Sequence, residues 1–359
     1  MATRVGVIGC GRIGMGAHLR NYARMDNVII KALCDIDDEA LEKAASLYKG
    51  AETYTNAHDL LENGDVDAVS ICTPNDCHAE LSIAALRAGK HVLCEKPMAM
   101  DVREAEKMLQ EAERASSVVH MLSFTHRFNP TMVFIREMIR EGRLGRLYHF
   151  RVMCSVDRLM NYDVGLEWRM IKERTGTGVL GDLGSHMIDL STFLMGDYAG
   201  PIEEVAGMMS IFVSERRRLD GQGFGPVTAD DAASFLARYR QGVMGVFELS
   251  RFSPSKVHLE IDGEKGSVRY DSQESSFIQV KFKESFGDYF AEFKDVEVPI
   301  SFLDSFGYTR EMFFNEVSTF IQGIEQGRQV KPDFEDGLLC QKVIDAVALS
   351  AKTKAWQKV

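Results

Sequence analysis

The stretch Arg4 to Gly14, RVGVIGCGRIG, decides the first half of the fold. Arg4 to Ile8 is a short apolar strand, Gly9-Cys10-Gly11-Arg12-Ile13-Gly14 is a G-x-G-x-x-G turn, and Met15 to Met25 has helical spacing. Strand, glycine turn and helix in that order form a phosphate cradle. The first glycine makes the tight turn, the second admits a pyrophosphate to the backbone, and the third lets helix pack on strand. Glycine turns also arise for purely structural reasons, so a second strand ending in an acid is needed about 20 residues on. Val28 to Cys34 is that strand and Asp35 closes it. Its carboxylate suits the two ribose hydroxyls of NAD and repels the 2′-phosphate of NADP. The competing reading makes Asp35 a cap for the helix that begins near Asp38.

The alternation continues through a helix at Asp38 to Tyr48, a helix start near Asn56 and an apolar strand at Ala68 to Cys72. Thr73-Pro74-Asn75 breaks the chain there, followed by a helix from Cys77 to Ala88. Then comes HVLCEKP, in which the short strand His91 to Cys94 delivers Glu95, Lys96 and Pro97 where the apolar run stops. A helix from Asp101 to Arg114 and a strand from Val118 to Leu122 complete the set. Such alternation predicts an α/β, doubly wound parallel sheet of Rossmann type over residues 1–124. Ligands meet such sheets at the carboxyl ends of the strands. The expected cofactor contacts are therefore Gly9, Gly11, Arg12, Ile13, Gly14, Asp35, Ile36, Thr73, Pro74, Asn75, His78, Glu95 and Lys96. His78 reads equally well as part of a plain turn.

Beyond Phe124 the pattern changes. Thr125-His126-Arg127-Phe128-Asn129-Pro130 leads into a helix at Thr131 to Glu141. Long β-like runs follow at Leu147–Val156, Glu204–Val213, Ala232–Tyr239, Val243–Phe252, Lys256–Asp262, Ser267–Asp271 and Phe277–Lys283. Hairpin signals such as Asp262-Gly263 join several of them. Residues 125–359 thus read as an α+β domain with a large, mostly antiparallel, open-faced sheet. One helical insertion lies at about Gly178 to Leu194, and late helices at Tyr308–Gln326 and Phe334–Trp356. The last of these is expected to pack back towards the first domain.

With 359 residues, 45% of them hydrophobic, the chain has material for two cores. Net charge is −11 and basic residues are dispersed, which argues against nucleic acid. The one basic cluster, Arg216-Arg217-Arg218, reads as a solvated face. No signal-like start or membrane-length apolar run is visible, and seven scattered cysteines read as small buried hydrophobes in a reducing compartment. A cytoplasmic setting is expected, with no membrane and no metal site.

The insertion GTGVLGDLGSHMIDL places Asp182 four residues before His186, on one helical face. An imidazole beside a carboxylate moves a proton near neutral pH, and a lysine supplies charge to a developing alkoxide. Lys96, Asp182 and His186 are the expected catalytic residues. Each alone has a plainer explanation: a surface lysine, a helix cap, a structural histidine.

Together, GCGRIG, EKP and GDLGSHMIDL resemble the Gfo/Idh/MocA family of sugar and cyclitol oxidoreductases, over nearly the whole chain. The resemblance implies an NAD(P) domain followed by an open sheet that binds substrate and usually mediates homo-oligomers. It implies that Lys96 contacts nicotinamide and substrate oxygen, that His186 transfers the proton, and that Asp182 orients both. Thr177 departs from the run of glycines common before that aspartate, which bears on pocket shape. Trp168-Arg169 is similar to the pair in members acting on pyranosides, while a core Trp168 and a surface-paired Arg169 are equally consistent. Arg127 and Asn129 are further substrate candidates, with His126 beside them. The segments between Val227 and Asp271 loosely resemble members that oxidise a ring hydroxyl, often at position three. The expected substrate is a sugar, glycoside or cyclitol. A redox-neutral NAD-dependent glycosidase and a dinucleotide-binding regulator are the alternatives; a regulator is expected to have lost Lys96 or His186.

Overall fold

The computed structural model describes residues 2–274, 277–283 and 292–359. They cluster into two compact units, Met1–Thr125 with Glu311–Gln341, and His126–Arg310 with Lys342–Val359.

In the first unit, β1 (Thr3–Ile8), β2 (Val28–Cys34), β3 (Glu52–Tyr54), β4 (Ala68–Ile71), β5 (His91–Cys94) and β6 (His120–Leu122) form one sheet in the order β3-β2-β1-β4-β5-β6. All its pairings are parallel. This is the doubly wound order, in which the winding across the sheet reverses between β1 and β4. β4 is buried at every position, as expected of a strand covered on both faces. The crossovers are α1, which opens with a π-type turn at Gly14–Leu19 and continues over Arg20–Tyr22, then α2 (Asp38–Leu47), α3 (Ala57–Asn63), α4 (His78–Arg87) and α5 (Val102–Arg114). Asp37, Asn56 and Asp101 cap α2, α3 and α5 by accepting from backbone N–H groups in their first turns. Capping of α2 therefore falls to Asp37, and Asp35 is left for other work.

The second unit opens with α6 (Pro130–Arg140) and holds a nine-stranded sheet. Its strands are β7 (Leu147–Ser155), β8 (Ile202–Ser210), β11 (Ala232–Tyr239), β12 (Met244–Ser250), β13 (Lys256–Gly263), β14 (Gly266–Asp271), β15 (Phe277–Phe282), β16 (Lys294–Glu297) and β17 (Gln357–Lys358). The order is β16-β15-β14-β13-β7-β12-β11-β8-β17, and only the β7–β12 pair is parallel. β11 alternates throughout and β12 as far as Leu249, so Phe235 and Phe247 face each other in register and stack at 4.3 Å on the covered side. On the other side Leu236, Met244 and Val246 are exposed. Between β7 and β8 lie a short α7 (Lys172–Thr175) and α8 (Ser185–Ala199), the latter preceded by a π-type turn at Leu180–Gly184. Beyond β16 comes α9 (Ile300–Phe306), with Phe302 edge-on to Phe134 of α6 at 5.1 Å.

The segments α10 (Met312–Glu325) and the start of α11 (Phe334–Thr353) belong to the first unit rather than the second. Val317, Phe320 and Ile321 of α10 are buried there, and Asn27 and Arg24 bond Glu325 and Glu311. The first unit thus takes up chain well beyond the change of pattern near residue 124.

A separate two-stranded ladder, β9 (Glu215–Arg217) with β10 (Phe224–Pro226), overturns the reading of the basic triplet as wholly solvated. Arg216 is 2% exposed and donates to the backbone carbonyls of Leu159, Asn161 and Val164. Carbonyl acceptors and the rings of Tyr162 and Phe252 replace its water, so a charge that looks superficial is a buried strut for the 159–164 loop. Arg217 and Arg218 remain exposed.

Candidate active site

The glycine turn meets the steric demands of a dinucleotide cradle. Gly9 has φ +98°, and a Cβ there would fall 2.6 Å from the Cys72 carbonyl; at Gly14 it would fall 2.0 Å from Gly9 O. Gly11 is different: it is exposed, with nothing within 4 Å of a Cβ position, which is the open approach a pyrophosphate needs. Asp35 is tied to this turn. Its Oδ2 accepts from Cys10 N at 2.7 Å and its Oδ1 from Asp37 N at 3.0 Å, and each oxygen keeps a lone pair for a ribose hydroxyl. Arg12 is exposed, Ile13 half-buried, and Ile36 is 90% exposed beside Asp35. These residues fit an NAD cofactor at the carboxyl edge of the sheet.

At the same edge lie the two other loops singled out from sequence. Thr73 and Pro74 are half-buried and Asn75 is buried, in a turn that passes directly against Gly9. His78 does not face outward. It is 0% exposed, with Nδ1 2.8 Å from Pro97 O and Nε2 3.1 Å from Thr73 O. Burial pushes its pKa down against the pull of both carbonyls, so near neutrality it is a neutral ring. We place its one N–H on Nδ1, the nitrogen with the shorter contact. The side chain packs between the 73–75 loop and the Glu95-Lys96-Pro97 turn and donates its N–H to the Pro97 carbonyl, the turn role that the sequence also allowed. In that turn Glu95 and Pro97 are buried and Lys96 is half-buried between them. Burial opposes ionisation of Glu95, but a hydrogen bond from His18 and the charge of Lys96 hold its pKa below the ordinary range.

In the second unit, Asp182 and His186 lie one helical turn apart, half-buried, where flanking Gly181, Gly184, Ser185 and Met187 are buried. Asp182 Oδ2 accepts from Arg251 Nη2 at 3.1 Å, and Arg251 Nη1 donates to Arg169 O at 2.9 Å. Arg251 is 3% exposed, so this is a sequestered guanidinium aimed at a partly open carboxylate. The His186 ring stands edge-on to His126 at 5.0 Å between centroids, and its Nδ1 is buried. The turn that carries Asp182 is anchored by Asp230, which accepts from Gly178 N and Leu180 N; burial drives its pKa up against those two bonds. Gly178 approaches Asp230 too closely for any Cβ.

Two substrate candidates make bonds within the protein. Arg127 is buried and forms a bidentate pair with Asp189, at 2.8 and 2.5 Å. Asn129 caps α6 through Thr131 N at 2.9 Å and also bonds Tyr270. Both polar groups are engaged in holding the helices. Trp168 and Arg169 are half-buried and stack on each other at 4.2 Å, which leaves them as substrate candidates. The residues that sequence reasoning missed are Arg251 and Asp230. Both lie between Val227 and Asp271, but their partners are 69 and 50 to 52 positions away and no local pattern marks them. Among the described residues no group of three or more His, Cys, Asp or Glu is arranged to hold a metal ion. No helix among them is long and apolar enough to cross a membrane.

Comparison with known proteins gives the same picture over the whole length. Levoglucosan dehydrogenase of Pseudarthrobacter phenanthrenivorans is 29% identical over 99% of this chain and 97% of its own. A levoglucosan dehydrogenase solved with NADH and levoglucosan superposes with a TM-score of 0.91 at 29% identity, covering 100% of both chains. Myo-inositol 2-dehydrogenase of Thermotoga maritima is 27% identical over 93% of this chain and 92% of its own. An oxidoreductase domain protein from Kribbella flavida is 34% identical with a TM-score of 0.90, over 100% of this chain and 99% of that one. Residues 3–123 match the NAD-binding Rossmann fold of an oxidoreductase family, and residues 136–359 match its C-terminal alpha/beta domain. The chain belongs to the Gfo/Idh/MocA oxidoreductase family.

Proposed function

We propose that this protein is an NAD-dependent dehydrogenase of a ring hydroxyl in a sugar, glycoside or cyclitol, with position three, giving a 3-keto sugar, as the favoured site. The observation that carries the reading is the half-buried Lys96 at the carboxyl end of β5, on a sheet whose glycine turn and Asp35 fit a dinucleotide. Relatives named as levoglucosan and inositol dehydrogenases support the substrate class.

In this reading Gly9, Gly11, Gly14 and Asp35 hold the NAD, with Asp35 selecting it over NADP. NAD held by these residues would supply the acceptor for the hydride of the carbinol C–H. His186 takes the hydroxyl proton; its buried Nδ1 leaves the Nε2 side of the ring for that transfer. Asp182, held by Arg251, orients the hydroxyl and the imidazole. Lys96 stabilises negative charge on the oxygen as the carbonyl forms. One alcohol and NAD⁺ give one carbonyl, NADH and a proton. Trp168 and Arg169 contribute a stacking surface and donors to the sugar. The test is NADH formation on mixing protein, NAD and a panel of aldoses, cyclitols and glycosides; substrate consumed without NADH points instead to the redox-neutral glycosidase.

The exposed face of the nine-stranded sheet supports a homo-oligomer. Leu236, Met244, Val246 and Met208 stand out from it beside a cavity of about 770 Å³ that reaches Trp356. Leu236→Glu is expected to lower the mass measured by light scattering. Seven free cysteines, five of them buried, support a reducing, cytoplasmic setting.

A further inference from the structure

Behind the glycine turn, four polar side chains of the first unit form a chain sealed from water. His18, Tyr22 and Ser70 are 0% exposed and Glu95 is 9% exposed. His18 Nε2 lies 3.0 Å from Glu95 Oε1, His18 Nδ1 lies 3.1 Å from Ser70 Oγ, and Ser70 Oγ lies 2.9 Å from the Tyr22 hydroxyl. The carboxylate has a second contact: Glu95 Oε2 faces the backbone N–H of Lys96 at 3.4 Å.

The proton positions follow from donor and acceptor capacity. An ionised Glu95 only accepts, so His18 Nε2 carries the hydrogen. In the tautomer with that single hydrogen Nδ1 accepts, and the donor is the Ser70 hydroxyl. The Ser70 oxygen in turn accepts from Tyr22, whose phenol burial keeps protonated. Every donor in the chain has one acceptor and no group competes for two. A buried network satisfied in this way is rigid, whereas removal of one member leaves a buried charge uncompensated. The chain ends on Glu95, the residue before Lys96.

We propose that His18 is a positioning residue for Lys96: held in one tautomer by Ser70 and Tyr22, it grips one carboxylate oxygen of Glu95 while the other receives the Lys96 N–H. This inference rests on the proposed role of Lys96 in turnover. In the absence of His18 the carboxylate rotates towards water or Lys96, and the ammonium is displaced from the developing alkoxide. Misplacement on the order of 1 Å costs about 100-fold in rate.

The test compares His18→Leu with His18→Gln, because Gln offers an N–H to Glu95 and a carbonyl to Ser70 in a similar volume. His18→Leu is expected to lower kcat at least about tenfold while the NADH Kd, read by fluorescence, stays within about threefold; His18→Gln is expected to keep most of kcat. Equal damage in both variants, unchanged kcat in His18→Leu, or a loss confined to NADH affinity overturns the proposal. If His18→Leu does not fold, Ser70→Ala carries the test, since it removes the donor to Nδ1 with little change in packing; a kcat loss at constant NADH affinity supports positioning and an unchanged kcat refutes it. Lys96→Ala separates the two layers: a fully active Lys96→Ala removes the functional reading itself. A readout without turnover is the ¹⁵N spectrum of histidine-labelled protein. His18, identified by its absence in His18→Gln, is expected with its hydrogen on Nε2 and with Nδ1 accepting. A hydrogen on Nδ1 refutes the chain.

Discussion

Asp35→Ser is the perturbation whose outcome is most directly set by geometry. The carboxylate is fixed by Cys10 N at 2.7 Å and Asp37 N at 3.0 Å, so its charge cannot swing away from an incoming ribose. Two unit charges about 4 Å apart interact by roughly 4 kcal/mol at the effective dielectric near a protein surface. A 2′-phosphate carries more than one negative charge, but Asp35 is half-exposed and salt screens the pair, so we take about 3 to 4 kcal/mol. That corresponds to roughly 100- to 1000-fold tighter binding of NADH than NADPH in the wild type. Asp35→Ser removes the repulsion and the ribose acceptor together, and leaves Cys10 N with a weaker partner at about 1 kcal/mol or more. Fluorescence titration with both reduced cofactors is therefore expected to show weaker NADH binding, stronger NADPH binding and a preference below about tenfold. Equal affinities in the wild type, or an unchanged preference in Asp35→Ser, refute the reasoning.

Further outcomes follow from the other groups. Lys96→Ala and His186→Ala are each expected to cut kcat by about 100- to 10,000-fold with the melting temperature little changed, as steady-state kinetics and calorimetry will show. Arg251→Leu strips donors from Asp182 and from the Arg169 carbonyl; with the Asp182 side chain 27% exposed, the loss is about 2 to 3 kcal/mol, read as a fall in the denaturant midpoint and accompanied by reduced kcat. Glu316 is 1% exposed, and burial together with the charge of Glu95 raises its pKa well above the usual carboxyl range. A group whose folded pKa is raised favours folding at low pH and loses that contribution as pH climbs from the unfolded value through the folded one. Glu316→Gln is accordingly expected to match the wild type near pH 4.5 and to exceed it in melting temperature increasingly above that, at up to about 1.4 kcal/mol per pH unit. A constant difference across pH contradicts a neutral Glu316.

The first sheet was legible because its strands are short apolar runs punctuated by glycine, proline and acid, and because buried parallel strands need no alternation to be recognised. β3, of three residues, carries no such signal. In the second unit the alternating strands stood out, with Ala232–Tyr239 read to the residue. The parallel pairing of β7 with β12 did not, since pairing partners 95 positions apart leave no local trace. The β9–β10 ladder was hidden under a run of arginines, and the burial of Arg216 depends on backbone carbonyls that sequence does not display. The proposed catalytic trio was readable from spacing and resemblance. The groups that hold it were not: His18 looks like any helical histidine, Arg251 like any charge at a strand end, and both acquire meaning only from partners far along the chain.

The central claim is hydride transfer from a carbohydrate hydroxyl to NAD with Lys96 and His186 engaged. Its most direct test is nicotinamide absorbance on mixing wild type and Lys96→Ala with NAD and a panel of aldoses, cyclitols and glycosides. NADH forming with one class in the wild type, and no NADH in the variant, is the predicted result. A wild type that forms no NADH with any member, or a Lys96→Ala that forms it at the same rate, contradicts the account.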